Sequence, residues 1–128
     1  MPHYISGLAA SQLENRENKK MLNLTALIRY LRETDDSISM HQLETLLLVA
    51  QAGSEGITMR DIEQRMGVPN ATLSRNIAYW SKWRKQNVPG MDFIVAEIDP
   101  SDRRYRICRL TTKGRAFCNE ITRIMGEE

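Results

Sequence analysis

Nothing in the 128 residues approaches the roughly eighteen consecutive apolar residues of a membrane-spanning helix, so no membrane partner is expected. The opening stretch "MPHYISGLAASQLENRENKK" lacks the basic start and apolar centre of a secretory signal, and a cytoplasmic location is the expectation. Cysteine is scarce: Cys108 and Cys118 are too few for a disulfide framework. Histidine is equally scarce, with His3 and His41 and no CxxC spacing, so neither a metal site nor another cofactor is expected. No acid, base and nucleophile stand together in a recognisable pattern, which points away from an enzyme. Cys108 and Cys118 read as buried apolar residues rather than redox sensors, and His41 reads as a surface residue.

What is present fits one folded domain covering residues 1–128, with 41% apolar and 27% charged residues. The net charge of +2 hides an asymmetry. Residues 1–56 hold five basic and seven acidic side chains, residues 57–116 hold twelve and six, and the last twelve residues hold one and three. The surplus positive charge is confined to the middle block, the footprint of a surface that meets a polyanion.

Helical signals dominate. Ser11 and Glu14 have capping-box spacing ahead of Leu24, Leu27, Ile28 and Leu31, predicting a first helix from about Ser11 to Glu33. Ser39 and Gln42 form a second capping box before "LETLLLVAQA", with Leu43, Leu46, Leu47 and Ala50 expected to be buried and "GSEG" as the stop. Thr58 caps a short helix, "MRDIEQRM", with Met59, Ile62 and Met66 on one face. A fourth helix starts at Asn70, read as its N-cap, and runs through "ATLSRNIAYWSKW". The period then changes. "DFIVAEI", the turn "DPSD" and "RRYRICRL" form a hairpin, apolar at its base and cationic at its tip, and Thr111 or Thr112 caps a last helix ending at Gly126.

A short helix, a turn containing Gly67 and a longer polar-faced helix make a helix-turn-helix. On a helical wheel Leu73, Ile77 and Trp80 form the buried side of the fourth helix. Ala71, Arg75, Ala78 and Lys82 form the opposite side, flanked by Thr72, Ser74 and Tyr79. Small residues let a helix approach base edges, and Arg75 can donate two hydrogen bonds to guanine. The arginines of the hairpin strand, Arg103, Arg104, Arg106 and Arg109, stand without an acid among them, and charge that only blunts an exposed edge has no such sign preference. Double-stranded DNA is therefore the expected partner. The expected contacts are Asn70, Ala71, Thr72, Ser74 and Arg75 on the helix, Lys82, Arg84 and Lys85 on phosphates, and Arg103, Arg104 and Arg106 on the hairpin.

The stretch from Ser39 to Phe117 resembles the MarR family of winged helix-turn-helix transcription regulators. "DPSDRRYRICRLTTKGRAF" is similar to that family's wing and its Leu-Thr-x-x-Gly helix entry, and "MRDIEQRMGVPNATLSRNIAYW" is similar to its helix-turn-helix. The fold class implied is mostly α with a small β wing: about five helices and a two- or three-stranded antiparallel sheet. Residues 1–36 then form an N-terminal helical dimerisation segment, 37–110 the DNA-binding core and wing, and 111–128 the C-terminal helix. The resemblance implies a homodimer, a palindromic operator, a recognition helix in the major groove and a wing at the minor groove. It carries DNA contacts onto Thr72, Ser74, Arg75 and Arg103 or Arg104, and makes Asp102 the acid that steadies a wing arginine.

This chain departs from the family pattern in three places. Pro69 stands where members place a serine, "SKWRKQNVPGMD" is a longer and more basic linker, and no further helix follows before Glu128. Dimerisation is therefore assigned to Leu24, Leu27, Ile28, Leu31, Phe117, Ile121 and Ile124. No residues matching the family's small-molecule or peroxide sensors are found, so the effector is unknown. The expected function is a sequence-specific, dimeric repressor. The alternative is a winged-helix interaction module or replication-associated adaptor that binds protein or nonspecific nucleic acid.

Overall fold

The computed structural model describes residues 7–126. Helix α1 (Gly7–Thr34) is followed by α2 (Met40–Ala52), a turn of 3-10 helix at Gly53–Glu55, β1 (Ile57–Thr58), α3 (Met59–Met66) and α4 (Asn70–Trp80). Strands β2 (Trp83–Lys85), β3 (Val88–Pro89), β4 (Ile94–Ile98) and β5 (Arg106–Leu110) come next, and α5 (Thr112–Ile124) completes the order. One sheet has the antiparallel order β1-β5-β4, and β2 pairs with β3 separately. The fold is a winged helix-turn-helix, with five α-helices and a three-stranded sheet among the described residues, as the sequence predicts. Among the described residues no helix is long and apolar enough to cross a membrane.

The chain divides into two compact units, Met1–Ser37 with Glu120–Glu128, and Ile38–Asn119. In the first, α1 already runs at Gly7, so Ser11 and Glu14 lie inside the helix and are not its capping box. The preceding "GLAA" supplies leucine and two alanines, strong helix formers that carry the helix back by a turn. Asp35 ends it: its carboxylate accepts from the Ser37 N–H (2.9 Å) and hydroxyl (2.7 Å), a local bond that competes with helix continuation. Leu31 is buried, whereas Met21, Leu22, Leu24 and Ile28 are exposed.

In the second unit the Ser39–Gln42 capping box on α2 is present in both directions. Leu46 is fully buried, with Leu43, Leu47 and Ala50 half-buried around it. Leu46, Ile62, Leu73, Trp80 and Cys108 are all 0% exposed, drawing α2, α3, α4 and β5 into one core. Trp80 stacks on Phe93 with centroids 5.7 Å apart, and Phe93 stacks on Phe117 at 4.6 Å. Phe117, assigned from sequence to dimerisation, thus sits inside this aromatic cluster. Gly114 allows the start of α5 to approach β4: a Cβ there meets the Phe93 carbonyl oxygen at 2.1 Å. The helix cap is Thr111, whose Oγ1 accepts from the Gly114 N–H at 3.0 Å.

Candidate nucleic-acid interface

Local chemistry sets up the helix-turn-helix. Thr58 Oγ1 accepts from the Asp61 N–H (3.1 Å) to start α3, and Gly67, left-handed at φ 66°, donates to the Glu63 carbonyl (2.8 Å) to end it. Helix α4 starts at Asn70 as expected, but its cap is a different residue. Pro69, with φ −64° and ψ 154°, occupies the N-cap position without a side-chain bond, and Asn70 is the first helical residue. Proline's fixed φ already suits the entry to a helix, so the backbone turns one residue early. The Asn70 amide is released for other bonds: Nδ2 donates to Glu63 Oε2 at 2.9 Å, tying α4 to α3.

The rotation of α4 about its axis is fixed by buried polar bonds as well as by Leu73, Ile77 and Trp80. Asn76 Nδ2 donates to Thr45 Oγ1 (3.3 Å) and to the His41 carbonyl (3.4 Å), and Trp80 Nε1 donates to the Gln42 carbonyl (2.6 Å). No buried side-chain nitrogen or oxygen lacks a hydrogen-bond partner among the described residues. Because these bonds are directional and buried, a small roll of the helix breaks them. The outward side consequently carries Ala71, Ser74 and Arg75, exposed, with Thr72 and Ala78 half-buried. Arg75 Nη2 lies 3.5 Å from Thr72 Oγ1. Tyr79, placed by the wheel on this flank, is buried at 3% exposure. The cause lies in the next segment.

The expected linker "SKWRKQNVPGMD" is a small hairpin, β2 paired with β3, and α4 stops at Trp80 instead of continuing through Trp83. The hairpin covers Tyr79, with the Arg84 guanidinium 5.0 Å from the Tyr79 ring centroid. Lys82, Trp83, Arg84 and Lys85 are all exposed.

The wing is β4 paired with β5, from Ile94 opposite Leu110 to Ile98 opposite Arg106. Strand β5 begins at Arg106, so Arg103, Arg104 and Tyr105 belong to the turn and not to the strand. That turn is organised by its own side chains. Asp99 accepts from the Ser101 N–H and hydroxyl at 2.9 and 2.8 Å, which lowers its pKa below the usual carboxylate range. Asp102 takes Arg104 in a two-point grip, Nε to Oδ1 at 2.9 Å and Nη2 to Oδ2 at 2.8 Å. The Arg104 hydrogen bonds lower the Asp102 pKa, and the Asp102 bonds in turn raise that of Arg104. Arg104 nevertheless keeps its side chain 79% exposed.

Sequence reasoning missed what joins this turn to α3. Arg60 Nη1 donates to the Tyr105 hydroxyl at 3.0 Å, and the Arg60 and Arg104 guanidiniums lie 5.5 and 5.4 Å from the Tyr105 ring centroid. Forty-five residues separate Arg60 from Tyr105, and no local pattern signals such a contact. Asn70 and Ser74 of α4 line one groove with Arg104, Tyr105 and Arg106 of the wing and Arg60 of α3. An adjoining groove is lined by Ser74, Ala78, Lys82, Trp83 and Arg106. Ala71, Thr72, Arg75, Lys85 and Arg103 line neither.

The cysteines take no part in this surface. Both are buried, and burial pushes the Cys108 thiol up to about 12 and the Cys118 thiol to about 11. His41 is exposed. Among the described residues no three His, Cys, Asp or Glu side chains gather into a metal-binding group.

No protein-family model and no curated protein matches the sequence. Solved structures do. A cysteine-to-serine variant of MarR from E. coli aligns over 98% of this chain and 80% of its own, with 21% identity and a TM-score of 0.61. A variant of MepR from S. aureus, solved bound to an oligodeoxyribonucleotide, aligns over 94% of this chain and 76% of its own, with 19% identity and a TM-score of 0.64. NadR, solved in complex with 4-hydroxyphenylacetate, aligns over 98% of this chain and 77% of its own, with 16% identity and a TM-score of 0.61. With the element order and wing geometry above, these alignments establish that the chain has the winged helix-turn-helix fold of MarR.

Proposed function

We propose that this protein is a sequence-specific, double-stranded DNA-binding transcription regulator that acts as a dimeric repressor in the cytoplasm. The observation that carries the reading is the groove shared by α4 and the wing, where Asn70 and Ser74 stand with Arg104 and Arg106. A major-groove helix and a minor-groove arginine loop can serve one duplex only if they face the same side, and the lining that Asn70 and Ser74 share with Arg104 and Arg106 supports such a reading. The similar folds of MepR bound to an oligodeoxyribonucleotide and of MarR complexed with operator DNA support the same reading.

The roles follow from the chemistry of each group. Ala71, Thr72 and Ser74 allow close approach, Asn70 and Ser74 offer hydrogen bonds at the groove edge, and Arg75 reads guanine. Asp102 steadies Arg104 so that its guanidinium meets the negative potential of a narrow minor groove already oriented. Arg103 and Arg106 add phosphate or minor-groove contacts on either side.

Dimerisation rests on α1, whose exposed Met21 (62%), Leu22 (61%), Leu24 and Ile28 form an apolar surface that a second copy would cover. Leu31, Phe117 and Ile121 are already buried within the single chain, and Leu27 and Ile124 are half-buried. Two copies imply a palindromic operator with half-sites one helical turn apart.

Selection from a random duplex pool at fixed salt tests the proposal. One duplex family with inverted half-sites is the expected result. Arg75→Ala then loses about 1–3 kcal/mol and relaxes preference at one base position. Enrichment of no duplex over the pool overturns the proposal.

A further inference from the structure

We infer that the β2–β3 hairpin is a second DNA-contacting element, a rigid phosphate clamp that grips the duplex backbone flanking the segment read by α4. The inference rests on the DNA-binding reading above and adds to it a surface that neither the recognition helix nor the wing contains.

Three observations carry it. The first is charge: Lys82, Arg84 and Lys85 fall within four residues, all exposed, and the segment from Ser81 to Met91 contains no acid. An exposed edge protected only by charge has no reason to exclude acids over such a length.

The second is rigidity. The hairpin is closed at its base by a backbone bond from Gly90 to the Lys82 carbonyl (2.9 Å) and fastened to the end of α4 by bonds from Met91 to the Tyr79 carbonyl (3.0 Å) and from Asp92 to the Ser81 carbonyl (3.1 Å). Gly90 makes this closeness possible, since a Cβ there would stand 2.0 Å from the Ser81 carbonyl oxygen. Arg84 lies over the Tyr79 ring, and Asn87 accepts the left-handed backbone (φ 61°) needed at the tip. A backbone held this way loses little conformational freedom when the segment meets phosphates, although the lysine side chains remain free to reorient.

The third is placement. Ser74 and Ala78 stand one turn apart on the outward side of α4, and the helix ends at Trp80, two residues before Lys82 opens the hairpin. Lys82 and Trp83 line a groove with Ser74, Ala78 and Arg106, the surface proposed to face DNA. Asp92 and Thr111 also line that groove, and the Thr111 hydroxyl donates to the Asp92 backbone carbonyl at 2.7 Å. The lysines project point charges that carry no fixed hydrogen-bond pattern, and Arg84, laid over the Tyr79 ring, offers a planar fork that matches two phosphate oxygens. Phosphate is therefore the ligand they suit, and the contact is independent of sequence.

The test compares the full-length protein with Lys82→Gln/Lys85→Gln on two 30-bp duplexes, one selected from a random pool and one of scrambled sequence, across a salt series. The inference predicts an equal loss on both duplexes, roughly 10-fold at moderate salt, and a slope of log K against log salt shallower by about 1–2. Arg84→Gln adds a smaller loss in the same sense. Hydroxyl-radical footprinting of the wild-type protein should show backbone protection outside the base-read segment that the double variant loses. Unchanged affinity and slope in the variant overturn the clamp while leaving the DNA-binding reading intact. A loss confined to the selected duplex also overturns it, because the hairpin would then read bases. A wild-type protein that binds neither duplex overturns the inference together with the reading beneath it.

Discussion

The two hairpins of this protein carry similar charge in different ways. In the wing, arginines are held by partners: Arg104 by Asp102, and Arg109 by the Ser54 carbonyl (3.0 Å) and Glu97 (3.3 Å), while Tyr105 is anchored to Arg60. In the β2–β3 hairpin, Arg84 rests on an aromatic ring and Lys82 and Lys85 extend from a backbone that is itself pinned. Surface ion pairs add little to stability, so the wing's bonds are better understood as fixing where guanidiniums point. The comparison separates two uses of positive charge. Oriented cations can discriminate between grooves, and unoriented ones supply attraction that salt screens.

Both hairpins depend on one anchor, and removing it should have the largest effect. Trp80→Ala opens a cavity beneath Phe93 and Phe117 and frees the Gln42 carbonyl, with an expected loss of about 3–5 kcal/mol in urea unfolding. Both hairpins should lose protection together in hydrogen exchange. Loss at only one of them would show that they are anchored independently.

The next contrast lies in binding. Arg104→Ala should weaken the selected duplex on the order of 10-fold and erase any preference for A·T pairs beside the helix-read segment. Lys85→Ala should lower affinity by a few-fold, uniformly across sequences, and make the salt slope shallower by about 1. If the two variants behaved alike in both respects, the distinction between the hairpins would fail. The Asp102–Arg104 pair should survive mild acid. Its carboxylate pKa is lowered in the folded chain, so the pairing is intact above the ordinary value of 3.8 and is lost only as pH falls through the lowered one.

Tyr105→Phe keeps the ring under both arginines and removes only the acceptor for Arg60, so its expected cost is about 2–5-fold in affinity for the selected duplex. Folding stability should be nearly unchanged. An effect as large as that of Arg104→Ala would make Tyr105 a DNA contact instead of a positioning residue. The smallest change belongs to the thiols. With pKa values pushed up to about 12 and 11, Cys108 and Cys118 stay protonated at pH 8, and iodoacetamide should label them only after unfolding.

The helix-turn-helix and the wing were legible because their signals are local: Thr58 as a cap, Gly67 as a stop, and "DPSD" between two β-rich runs. The Asn70 cap was misassigned because residue preference at a cap was weighed without the constraint that Pro69 places on its own backbone. Tyr79 is buried on the flank where the wheel puts it, and that burial is not legible because a helical wheel is blind to what folds back over it. The covering hairpin was hidden in a segment whose basic residues suggest a linker, although the turn residues of "NVPG" are compatible with a hairpin. The Arg60–Tyr105 tie joins distant parts of the chain and is invisible to periodicity. Caps and turns are written in neighbouring residues, whereas the contacts that orient side chains at the candidate interface come from the fold.

Base-specific interference on the best selected duplex tests the central claim most directly. If α4 and the wing engage neighbouring grooves of one duplex, methylation of a guanine N7 in the major groove and of an adenine N3 in the adjacent minor groove should each block binding. Arg75→Ala should lose the first sensitivity only, and Arg104→Ala the second only. Binding by both variants that matches the wild-type protein, with the same interference pattern, would contradict the account.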